Sequence, residues 1–381
     1  MMHSLKTSSV VAAAFAAGLL VGWSVAARAQ DGPEGITTPV IFPEFDAAAP
    51  RCNPPPGLEK TLVFAQDNER QFMQGVSRGL NLAAAHRGLG YRAALARNDA
   101  AKMIEQVQAS RAARVGALVA APVDAPSLKR SLQEMIWSGG YVGTVVPPPA
   151  TSLLNAPQYL TGKVLAEAAA AYIRSRLNGR ARVVLLTHDS LQFLAPRFAA
   201  MRDVFKDMPG VTIVADISPL TVNKEGGFAT MQTIMLAHRT IDVVLGADTV
   251  VLGALEALRQ AGRAGPDQFF GGIDGEPEAV SEIKAGGPYK ASVSLASPVF
   301  GYAMGQHAAD WLEGKSIPQA MDILPIPLTA ANIRQYEADV ADPASVYADP
   351  ARRAQYLRMY GNICYDTRHH YVNFPWSSER R

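Results

Sequence analysis

Residues 241–274 read Ile241-Asp242-Val243-Val244-Leu245-Gly246-Ala247-Asp248-Thr249, continue through Val250-Val251-Leu252-Gly253-Ala254-Leu255 to Gly262, and end on Phe269-Phe270-Gly271-Gly272-Ile273-Asp274. This spacing predicts a buried strand, a helix and a second buried strand that stops at an acid. The first run is short, apolar and rich in β-branched residues, as suits a parallel strand covered on both faces. Asp248 stands where an N-cap is expected, and Gly262 where a left-handed residue would close the helix. Val251, Leu252, Leu255 and Leu258 form its apolar stripe. A βαβ crossover is right-handed, so Ala247 and Asp274 should meet at one carboxyl edge of the sheet. Ligands of open α/β sheets bind at that edge.

Composition sets the frame for this unit. The chain has 381 residues, 48% of them hydrophobic, enough for two well-cored domains. Residues 1–29 read as an export signal: Lys6 supplies the basic start, residues 10–21 the apolar run, and Ala27-Arg28-Ala29 a small-x-small cleavage site. An uncleaved anchor is the competing reading, since residues 10–27 nearly span a bilayer; Trp23, Ser24 and the Ala-x-Ala site favour cleavage. The absence of a Cys near that site argues against a lipoprotein. Without Lys6 and Arg28 the chain holds 34 basic and 34 acidic residues, a balance that gives no reason to expect nucleic acid or an anionic membrane as partner. The two cysteines, Cys52 and Cys364, are expected to pair in an oxidising compartment; two buried thiols are the alternative. Neither has metal-site spacing.

Residues 30–57 are Pro-rich and aperiodic, an extended arm. Strands are then expected at 61–65, 91–96, 115–120 and 141–146, with helices at 101–110 and 128–137 and a helical face carried by Phe72, Val76 and Leu80. A second copy follows: helix 162–177, strand 182–187, helix 196–206, strand 211–217, helix 226–237, and then the unit described above. Two blocks of this kind predict two doubly wound α/β lobes. A helix is expected at 298–313, a strand at 322–327, and from 334 to 381 a tail without strand–helix rhythm that packs over one lobe.

On its landmarks the chain resembles the periplasmic sugar-binding proteins of the ribose/galactose type. These are Ala121-Pro122-Val123-Asp124 after a buried strand, Asp248 with Leu252-Gly253-Ala254-Leu255, Gly272-Ile273-Asp274-Gly275, and Phe300-Gly301-Tyr302. The similarity covers about residues 58–330. It implies two parallel-sheet lobes joined by three hinge strands, residues 58–154 with 296–324 and residues 155–295 with 325–333, crossing near Leu154, Leu295 and Leu324. It also implies a solute bound between them, no cofactor, a monomer, and an inner-membrane ABC permease as partner. The same fold serves lac-repressor-type regulators, but an export signal and an arm stand here where a DNA-binding helix-turn-helix would.

The expected pocket departs from that family. Where the family has Asn-Pro-Phe-Phe, this chain has Arg70, Gln71, Phe72 and Met73, which keep an aromatic face and add a cation. The family's Asn before the Pro-x-Asp turn is Ala121, with Asp124 kept in the turn. Its Asp-Arg pair is Val146-Pro147, its Asn before the helix is Ala247, and its hinge Gln is Leu295. The clamping Arg falls at Ala195, with Arg197 two residues on, and Asp274 retains its identity. A closed cleft of this kind would leave sugar hydroxyls unpaired at about 1–3 kcal/mol each. The resemblance therefore implies a ligand less hydroxylated than a simple hexose or pentose, with Arg70 and Arg197 inviting an anionic group and Asp274 an amine or hydroxyl.

Thr187-His188-Asp189-Ser190 follows a strand and should reach the cleft edge. Two readings stand: His188 and Asp189 contact the solute, or Asp189 or Ser190 caps the next helix. A hydrolase using His188 and Ser190 is disfavoured, because contiguous residues rarely present a triad and no Gly-x-Ser-x-Gly elbow surrounds them. The remaining alternatives to solute delivery are a receptor that presents its ligand to a membrane kinase or chemoreceptor, and an ordinary monosaccharide-binding protein.

Overall fold

The computed structural model describes residues 34–145 and 148–379. The export signal at 1–29 and Val146 therefore lie outside the described residues. The first block alternates β1 (Glu59–Gln66), α1 (Gln71–His86), β2 (Gly90–Leu95), α2 (Ala100–Ala112), β3 (Val115–Ala120), α3 (Ala125–Trp137), β4 (Tyr141–Val145) and β5 (Ser152–Asn155). The second runs α4 (Gln158–Arg176), β6 (Ala181–Leu186), α5 (Ala195–Lys206), β7 (Val211–Ile217), α6 (Lys224–Ala237), β8 (Val243–Leu245), α7 (Asp248–Gln260), β9 (Phe269–Asp274), α8 (Pro277–Ala285) and β10 (Tyr289–Ser294). Then come α9 (Ser297–Leu312), β11 (Ala320–Ile323), β12 (Ile326–Leu328), α10 (Ile333–Ala341), α11 (Pro343–Ala348), α12 (Pro350–Tyr356) and β13 (Leu357–Tyr360).

Two sheets result, in the orders β13-β11-β5-β4-β3-β1-β2 and β12-β10-β9-β8-β6-β7. Their central strands are parallel, and β3 is buried along its whole length, as an apolar run such as Val115–Ala120 requires. The chain passes between lobes three times, after β5, after β10 and between β11 and β12. Helix α9 returns to the first lobe and lies against α1. The two backbones close up where a side chain at Gly79 would strike Pro298 and Gly301–Tyr302 backbone atoms.

Several expectations need correction. The strand expected at 322–327 is two: β11 lies parallel to β5 in the first sheet, and β12 antiparallel to β10 in the second. Helix α8 and strand β10 were not read from the sequence. Asp248 is not an N-cap, because it is the first residue of α7 and its side chain caps nothing. It is fully buried, accepting from Tyr289 Oη (2.7 Å), Ser292 Oγ (2.7 Å) and the Glu276 N–H (2.8 Å). Gly272 makes room for this cluster, since a Cβ there would collide with Asp248 and Tyr289.

The tail touches both lobes, not one. β13 extends the first sheet antiparallel to β11, while α10 joins the second lobe through Tyr336 Oη to Ser294 Oγ (2.5 Å) and Lys284 to Glu337 (2.9 Å). The arm pairs with the tail: Cys52 is bonded to Cys364, Phe42 packs on Trp376, and Ile36 bridges Val372. The expected disulfide is present.

Candidate functional site

Between the lobes, at the carboxyl ends of the parallel strands, lies a cavity of about 510 Å³. A larger recess, about 1030 Å³, lies between arm and tail, away from those strand ends. The interlobe cavity is the better candidate because both lobes and all three crossings contribute to its wall. Seventeen of its 25 lining residues are apolar. Phe72 and Met73 come from the start of α1, Ala121 from the end of β3, Leu154, Leu295 and Ile323 from the crossings, and Leu186, Phe193 and Ala247 from the second lobe. Phe72 is held by Phe300, their ring centroids 5.7 Å apart.

Of the candidate residues, Arg70, Phe72, Met73, Ala121, His188, Arg197, Ala247, Asp274 and Leu295 line this cavity. Two do not, and are corrected here. Asp124 is the N-cap of α3, where its carboxylate accepts the Ser127 N–H at 3.1 Å. Asp189 is engaged by Arg202, which also holds Asp216. The capping alternative for residues 189 and 190 fails too, since α5 begins at Ala195 with no side-chain cap. Residues that the sequence reading missed are Asp67, Gln158, Leu191, Phe193 and Glu276. All follow a strand end or hinge crossing, and that position is the signal that could have found them.

The electrostatics differ from expectation. Arg70 is two-thirds exposed, and its guanidinium is already used by Asp67 (3.4 Å) and Asn68 (2.9 Å). Arg197 is only 7% exposed, and Nε donates to Gln158 Oε1 at 3.0 Å. Burial lowers the Arg197 pKa, with the nearby Asp274 charge acting against the shift. Burial raises the Asp274 pKa, opposed by Arg197 and by Arg70 across the cleft. Glu276 is pushed up to about 7, first by burial and then by the charges of Asp248, Asp274 and Glu278. Asp248, behind the wall, is raised to about 6 by burial. Asp274 has φ 121°, a region that side chains other than glycine occupy only when the surrounding structure enforces it. His188 offers Nδ1, which has no hydrogen-bond partner among the described residues.

This arrangement suits the enclosure of a solute between two lobes. Ser190 lies outside the cavity wall, and the Thr187 hydroxyl beside His188 is paired with Ser218 Oγ at 3.2 Å. Among the described residues no group of three His, Cys, Asp or Glu is placed to hold a metal ion.

A family model described as the periplasmic binding protein domain matches residues 61–316. The fold is similar to that of a periplasmic ribose ABC transporter protein from Conexibacter woesei DSM 14684, with TM-score 0.64 and 20% identity over 74% of this chain and 95% of that one. It is similar to the Caulobacter myo-inositol binding protein bound to myo-inositol, at TM-score 0.60 and 24% identity over 74% and 97% of the two chains. A 5-methylthioribose transporter solute binding protein from Thermotoga lettingae TMO, in complex with 5-methylthioribose, gives TM-score 0.63 and 21% identity over 79% and 95%. At these identities the likeness establishes the fold.

Proposed function

Since this chain belongs to the periplasmic binding protein domain family, we propose that it captures a small solute between its lobes and delivers it to an inner-membrane ABC permease. The ligand is less hydroxylated than a simple hexose or pentose. The observation that carries this reading is the mostly apolar cavity wall, which includes Ala121, Ala247 and Leu295, the residues that the resemblance sets against sugar-binding amides of the family. A closed pocket with such a wall strands hydroxyls, while it rewards apolar surface at about 25 cal/mol per Å² buried. A ligand that touches both lobes shifts the open–closed equilibrium by its differential affinity for the closed form. The 5-methylthioribose protein supports the reading by analogy, as its ligand replaces one hydroxyl of a pentose with a thioether.

Native mass spectrometry of the protein isolated from its own periplasm tests this directly. The expected result is a co-purified molecule with an apolar body, and loss of both the added mass and a ligand-dependent compaction in small-angle scattering after denaturation and refolding. A co-purified hexose or pentose would contradict it. Delivery to a permease, as against presentation to a membrane receptor, is tested by which membrane protein the liganded form retains.

A further inference from the structure

The cavity holds charges of both signs that the protein leaves unmatched. Asp67 and Arg70 satisfy one another. Inside the cavity Arg197 lies near Asp274, with Glu276 two residues further along the wall and Arg70 at its exposed edge. Arg197 is more than nine-tenths buried and lines the cavity, yet beyond the bond from Nε to Gln158 its terminal nitrogens have no hydrogen-bond partner among the described residues. The Asp274 and Glu276 side chains likewise accept no hydrogen bond there, and no ion pair within 4.0 Å joins either to Arg197. Opposite charges held apart on one partly desolvated cavity wall leave room for a ligand that completes both. The left-handed backbone at Asp274 fixes where its carboxylate stands.

A neutral polyol would form hydrogen bonds with Arg197 and Asp274 but would strand its other hydroxyls against Ala121, Ala247 and Leu295 when the lobes close. A purely anionic ligand would be repelled by two carboxylates, and a purely cationic one would leave Arg197 unmatched. We propose, resting on the reading of this cavity as a solute site, that the ligand is amphoteric: an anionic group is held by Arg197, a cationic group is shared by Asp274 and Glu276, and an apolar body lies against Phe72, Leu191 and Phe193. An amino acid with an apolar side chain, or a larger molecule with the same two ends, has this chemistry. The anion site is thus Arg197 and not Arg70.

Isothermal titration of the unliganded protein with matched compounds tests the proposal. The set is L-phenylalanine, L-leucine, L-methionine and L-tryptophan, the des-amino 3-phenylpropanoate, the des-carboxy 2-phenylethylamine, and D-ribose with myo-inositol. The expected result is that an amphoteric compound binds at least about tenfold more tightly than either singly charged analogue, as the loss of one charge-assisted hydrogen bond implies. Asp274→Asn, with Asn tolerant of positive φ, should weaken the amphoteric compound about tenfold while 3-phenylpropanoate, relieved of one repelling carboxylate, binds no more weakly than before; an unaltered melting curve of the free variant shows that it folds. A singly charged analogue that binds as tightly as its amphoteric parent, or no binding by any amphoteric member, overturns the proposal and leaves the apolar-solute reading standing. Strongest binding by ribose or inositol overturns both.

Discussion

Asp248 and Glu276 show how much of this site's chemistry depends on side chains that the pattern of apolar residues hides. Asp248 sits at a helix start, where capping is the usual role, but three donors from β10 and the β9–α8 loop converge on its carboxylate instead. Removing one of them, as in Tyr289→Phe, should cost about 1–3 kcal/mol of stability in urea unfolding; no loss would mean that the cluster is not tightly coupled. Glu276 titrates at about 7 in the fold against an ordinary 4.5, so between those values the folded state holds more protons than the unfolded one. Its contribution to stability is therefore lost as pH rises through that window. His307, kept neutral by burial down to about 4, works in the opposite direction below 6.5, so the informative comparison is between variants. The margin by which Glu276→Gln melts above the parent protein should be smallest near pH 4 and grow progressively toward pH 8, and a gap that does not change with pH would contradict the assignment. At this scale Phe72, Met73, Ala121, Ala247, Asp274 and Leu295 could be read from the sequence as cavity-lining, because strand ends and helix starts place them at the cleft. Asp124 and Asp189 fall outside the cavity, neither reading of Asp189 holds, and Asp67 and Glu276 were missed, because whether a loop carboxylate meets an arginine, a backbone N–H or a cavity is decided by tertiary geometry.

Among the elements, the apolar runs of β3, β6 and β9 and most of the helices between them were readable, since period and burial agree there. β10 was not, because its buried Ser292 and Ser294 look like loop residues until Asp248 and Tyr336 are seen to satisfy them. The tail helix α10 is likewise silent in the sequence, yet it forms a brace at a crossing. Tyr336 Oη holds Ser294 Oγ, which in turn accepts the Ala296 N–H at 3.0 Å, and Ala296 has φ 44°. Tyr336→Phe should raise amide hydrogen exchange at residues 294–296 and change the affinity for whatever ligand closes the lobes; exchange identical to the parent would show that α10 is only a cover. The arm is held to the tail by Cys52–Cys364, a closure of 312 residues. Replacing both cysteines with serine should cost about 2–5 kcal/mol, read as a lower midpoint in denaturant, with the interlobe cavity unchanged.

For the whole molecule, the two-lobed plan followed from one βαβ unit repeated along the chain, and the structure adds how arm and tail wrap it. A tail that reaches both β11 and Ser294 couples the first lobe to the second outside the three crossings. Such coupling lets a ligand's contacts be weighed against a preset resting geometry, which is how binding becomes closure. The wall of the cleft decides which ligand does this. The most direct measurement is a thermal-shift comparison of the ligand-free protein with ribose, galactose and xylose on one side and apolar charged solutes of similar size on the other, because ligand that binds only the folded state raises the melting temperature by mass action. The apolar charged solutes should give the larger shifts at equal concentration; the largest shift from one of the three sugars would show that the cavity accepts hydroxyls after all.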